Sequence, residues 1–125
     1  MKILLHILAT YFFATGIYIW FAPNAFYENT PGLSDMGPFS IHFIRDVALT
    51  YLASGGAIFY GALKDNRTAL ICGAVWPLLH ALFHIQIWGH RGFPFDNIWA
   101  TNAFGVVLPG FVAIGLALKF RPATA

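Results

Sequence analysis

His42, Arg45 and Asp46 stand at positions i, i+3 and i+4, and His80 and His84 stand at i and i+4. On a helix each set shares one face. Two histidines four residues apart can chelate one ion, and His42 or Asp46 from a neighbouring helix would complete three or four ligands. Imidazole and carboxylate donors of that kind suit zinc or copper. His42 or His80 opposite His84 could also be the axial pair of a haem, although the chain has no covalent attachment motif. A third chemistry is a pocket that sets these groups against a quinone or another small molecule. A fourth arrangement binds nothing, and the polar residues lock the helices together. Arg45, His90, Asp96 and Asn102 are the candidate supporting network. With five histidines in all, the larger ligand set of the membrane di-iron oxygenases is absent.

The elements that must position these residues are all helical. The 125 residues are 58% hydrophobic and 10% charged, with a mean hydropathy of +0.67, more apolar side chain than a water-soluble domain of this size can bury. Four apolar stretches run from Ile3 to Ala22, Phe39 to Leu63, Thr68 to Trp88 and Asn97 to Leu118. Each is close to the roughly 20 residues a helix needs to cross the hydrocarbon core, and none shows the alternation of a barrel strand. The expectation is an all-α, integral membrane up-and-down bundle of four transmembrane helices in one domain, residues 1–125. The first stretch is too long for the apolar core of a signal peptide and counts as a span.

Lys2, then Lys64 and Arg67, then Lys119 and Arg121 mark the amino end, the middle connection and the carboxyl end. The positive-inside rule puts these three regions, and so both termini, in the cytoplasm. The 23–38 and 89–96 connections then face outward. The short turns at 64–67 and 89–96 make the second, third and fourth helices antiparallel neighbours. On that layout Asp46 and His84 come level in the outer half of the bundle, within reach of each other. Ala57 with Gly61, Ala69 with Gly73, and Ala113 with Ala117 are small pairs that let helices approach closely. Pro77 removes one helical hydrogen bond below His80. Trp20, Trp88 and Trp99 read as interfacial anchors, His6 as an isolated packed or interfacial residue, and Cys72 as a buried apolar one. The net charge of +2 reports topology, and its placement at helix ends argues against nucleic acid as a partner.

The string His42-Phe43-Ile44-Arg45-Asp46-Val47, followed one helix later by His80-Ala81-Leu82-Phe83-His84, resembles the small four-helix bacterial membrane proteins grouped as DoxX-like. The likeness covers the whole chain in helix number and length. It implies a multi-pass protein of the bacterial cytoplasmic (inner) membrane, close to quinone-linked thiol or thiosulfate oxidation. It supplies no catalytic residue, and a chain with one cysteine lacks the pair a thiol oxidoreductase uses. Two functions follow as expectations. One is a membrane protein whose outer-half cluster holds a transition metal or redox ligand. The other is an accessory subunit that docks a larger respiratory-type complex or a second copy of itself.

Overall fold

The structure is a computed structural model. It describes residues 1–122; residues 123–125, with the carboxyl terminus expected in the cytoplasm, lie outside the described residues. In chain order the elements are α1 (Lys2–Phe21), α2 (Pro23–Asn29), a 3-10 turn (Ser34–Met36), α3 (Ile41–Leu63), α4 (Arg67–His90), α5 (Asn97–Asn102), a π turn (Ala103–Val107) and α6 (Leu108–Lys119). No strand occurs among the described residues. The last three elements run on as one helical stretch, Asn97–Lys119.

Capping residues set the helix starts. The side chains of Ser40, Asn66 and Asp96 accept hydrogen bonds from the backbone N–H of Phe43, Ala69 and Trp99, each satisfying an orphan donor of the first turn. Between α3 and α4, Asp65 takes a left-handed conformation (φ 54°), and its carboxylate pairs with Lys2 at 2.8 Å. That pair ties the amino terminus to the tight turn.

Successive long helices pack side by side in the order α1, α3, α4, α6, and α1 meets α6 only lightly. Small residues set the spacing. Gly73 lies against Ala57 and Ile58, and a Cβ on Gly110 would collide with the Pro77 carbonyl. The expected small contacts at Ala57, Gly61 and Gly73 are therefore present. Ala113 and Ala117 are buried, and Gly110 makes the tightest approach of α6 to α4. The core between the helices holds Leu5, Phe12, Ile19, Ile58 and Leu70, while Ile3, Ile7, Phe21, Leu79 and Phe104 stay exposed. Cys72, expected inside, is exposed.

Among the described residues three helices are long and apolar enough to cross a membrane, Lys2–Phe21, Arg67–His90 and Asn97–Lys119, where four were expected. The exception is α3. At 23 residues it has the length, but His42, Arg45 and Asp46, with Thr50, Ser54 and the Gly55-Gly56 pair, lower its hydropathy.

Candidate functional site

The polar residues expected in one cluster fall into two groups. On α3 the inward face carries Ile44, Ala48 and Tyr51. Asp46 lies two residues from both Ile44 and Ala48, and at about 100° per residue that is roughly 200° around the helix. It therefore points away from the core, as does His42. The two pair with each other, His42 Nδ1 to Asp46 Oδ2 at 2.8 Å, on side chains 86% and 58% exposed. Arg45 lies over the Trp20 ring at 5.0 Å, a cation–π contact, and His90 ends α4 in an exposed position. The expected meeting of Asp46 with His84 does not occur. Correspondingly, no group of three or more His, Cys, Asp or Glu stands together among the described residues, so the metal set His42, Asp46, His80 and His84 is not assembled. His80 and His84 alone are two ligands of the four zinc usually takes.

These two histidines do line a cavity of about 490 Å³ whose walls come from α1, α3, α4, α5 and the π turn. His80 stacks on Trp76 (4.7 Å between ring centroids, 14° between planes) and meets Tyr51 edge-on at 6.3 Å. His84 stands edge to face with His80 at 4.6 Å. Asn102 stands beside His84, and His84 Nδ1 is buried without a hydrogen-bond partner in the protein. The aromatic packing fixes both imidazoles, and Asn102, expected in the supporting network, lies beside His84 on the cavity wall.

The opposite wall depends on a backbone irregularity. Pro109 has no N–H to give the carbonyl four residues back, that of Gly105. The Leu108 N–H reaches the Ala103 carbonyl, five residues back rather than four, closing a π turn, and the Tyr11 hydroxyl donates to the Gly105 carbonyl at 2.6 Å. Single π turns of this kind are frequent at functional sites. Here one joins α1 to the last helix across the cavity and sets Asn102 and Gly105 on its wall. Tyr11, Thr15 and Tyr51, which also line it, were missed at the level of sequence. Tyr and Thr in apolar helices look like packing residues, and only the pairing of Pro109 with Tyr11 could have singled them out.

Residues 30–36 cover the mouth of the cavity. This strap is fastened by Tyr27, whose hydroxyl donates to the Gly37 carbonyl at 2.7 Å. Gly32 (φ +80°) packs against Ile98 so closely that a Cβ would lie 2.7 Å from it. Arg91, also at the mouth, is held by both carboxylate oxygens of Asp96 at 2.5 and 3.4 Å. Hydrogen bonding from Arg91, and then from the Trp99 N–H, keeps the Asp96 carboxyl below its ordinary range. Asp96 therefore acts at the rim, as helix cap and arginine clamp, rather than inside.

Comparison with family models, curated proteins and solved structures gives no match to this chain, so the chemistry of the site rests on its own geometry.

Proposed function

We propose that this chain is a four-span membrane protein that holds one small, largely apolar ring compound with hydrogen-bonding oxygens, of the quinone class, in the cavity at the strap end. The observation that carries the reading is the cavity itself. A volume of about 490 Å³ falls in the range of small-molecule sites, which are apolar rooms with a few convergent polar groups. Here those groups are His80, His84, Asn102 and Tyr11. A quinone ring would present two oxygens to such side chains and its flat faces to Tyr51 and Phe83.

The exposed apolar surface of α1, α4 and α6 supports insertion in a bilayer, since exposed patches of that extent on a water-soluble monomer mark an interaction surface. We take α3 to cross with them, because it is flanked by α1 and α4 along its length. Its His42 lies at the first turn, where the headgroup region can hydrate it, and Asp46 pairs within reach of that region. The likeness to DoxX-like proteins fits this reading and suggests the bacterial inner membrane, with the strap end outside.

The protein purified in detergent tests the proposal. An organic extract should contain a quinone-type absorption that changes on chemical reduction, in stoichiometric amount, and the His84→Ala protein should lose it. Metal analysis of the same sample separates the alternative, zinc or copper on His80 and His84. A folded protein with metal and no organic ligand, or with neither, would contradict the proposal.

A further inference from the structure

The end of the bundle opposite the strap carries most of the cationic charge. Lys2, Lys64, Arg67, Lys119 and Arg121 gather there against one carboxylate, Asp65, which Lys2 already occupies at 2.8 Å. Glu28, Asp35, Asp46 and Asp96 belong to the strap end. Between the start of α4 and the end of α6 lies an open depression of about 550 Å³, lined by Arg67, Leu118, Lys119, Phe120, Arg121 and Pro122. Among the described residues no acidic side chain lines it. Two features distinguish it from a general basic surface. The Arg67 guanidinium is fixed by donating from Nη2 to the Leu118 carbonyl at 3.0 Å, which leaves its other donors directed and free for a second acceptor. Phe120 leaves the helix in extended conformation with its ring buried in the core. Arg121, next in the chain, lines the same depression as Arg67.

We propose that this depression binds the phosphate of an anionic lipid headgroup, held by the Arg67 fork and the charges of Lys119 and Arg121. A planar guanidinium with free donors matches a phosphate, basic pockets at the cytoplasmic ends of spans take anionic headgroups, and exposed Leu118 offers apolar surface for the glycerol and upper acyl chain. The inference rests on the bilayer reading above and is independent of what the cavity holds.

Thermal melting of the detergent-solubilised full chain, titrated with phosphatidylglycerol, phosphatidylcholine or inorganic phosphate, tests it. Phosphatidylglycerol should raise the melting temperature with a saturable midpoint, and the other two should not. Lys119→Gln and Arg121→Gln should each move that midpoint about fivefold to higher lipid, the equivalent of about 1 kcal/mol for each basic residue near anionic lipid. Arg67→Lys should weaken it further, because a point charge replaces a fork. Lys64→Gln, outside the depression, should leave it unchanged. If Lys64→Gln weakens the response as much as Arg121→Gln, the surface is diffuse and the site is wrong. A response to inorganic phosphate equal to that of the lipid would replace the lipid by a free anion and overturn the proposal. Recovery of the chain in the soluble fraction without detergent would instead defeat the bilayer reading itself.

Discussion

Tyr11, His84 and Asp96 each do something that their residue type alone does not announce. The Tyr11 hydroxyl replaces the N–H that Pro109 lacks, so Tyr11→Phe leaves the Gly105 carbonyl without its donor. We expect a loss of about 0.6 to 1.7 kcal/mol, the span from the average to the largest hydrogen-bond contribution measured between membrane helices. In a Pro109→Ala background a backbone N–H becomes available, and the same change should cost much less. A double-mutant cycle by thermal or chaotrope melting reads the difference, and equal losses in both backgrounds would refute the substitution of hydroxyl for amide. Asp46 and His84 face apart, so Asp46→Asn and His84→Ala should be additive in stability within about 0.5 kcal/mol. The expectation from sequence was the reverse, because spacing gives depth and shared face but not the rotation of α3 about its axis. Asp96 is a carboxyl held below its ordinary value, and its contribution is present above the ordinary range and lost as pH falls through the lowered value. The clamp on Arg91 should therefore hold at neutral pH and release only in acid below the ordinary carboxyl range. Trp88 and Trp99, stacked at 3.8 Å beside it, should report the release by fluorescence. Asp96→Asn should abolish that acid transition, and a transition of the same size in the variant would assign it elsewhere.

At the scale of elements, the four long helices were legible, because apolar runs of span length leave one structural option, whereas α2, inside the 23–38 connection, was not. The π turn was not, since it depends on a single proline and on a tyrosine in another helix. Nor was the cavity, whose walls come from α1, α3, α4, α5 and the π turn, nor the tight closure of α4 on α6 at Gly110 against Pro77. Gly110→Ala should push α6 away from α4 and cost about 1 to 3 kcal/mol, the range for forcing extra methylene volume into a packed contact. Gly115→Ala, with open space around its position, should be close to neutral and serves as the control in the same melting experiment. Similar losses at both positions would mean that the α4–α6 contact is looser than described. His80 and His84 were identifiable from their spacing, and Tyr51 was not, because it reaches His80 through the packing of whole helices.

For the molecule as a whole, the uneven charge, most acids at the strap end and most cations at the other, supports the proposed reading of a chain that crosses the bilayer four times with the cavity opening outward. A reporter fused at Asn29 should be active only outside the cytoplasm, and one placed in the 64–67 turn only inside; the opposite pattern would turn the cavity toward the cytoplasm. The apolar surface and the internal cavity point to one account, in which a bundle stabilised against lipid leaves a room at one end for a small ring compound. Titration of the purified protein, stripped of its own ligand by detergent washing, with a short-chain quinone, followed by tryptophan fluorescence, tests that account most directly because Trp76 stacks on His80, a residue of the cavity wall. The account predicts saturable quenching that His84→Ala abolishes and His42→Ala, on the outer face of α3, leaves intact. Quenching that rises linearly without saturation, or that is the same in the two variants, would contradict it.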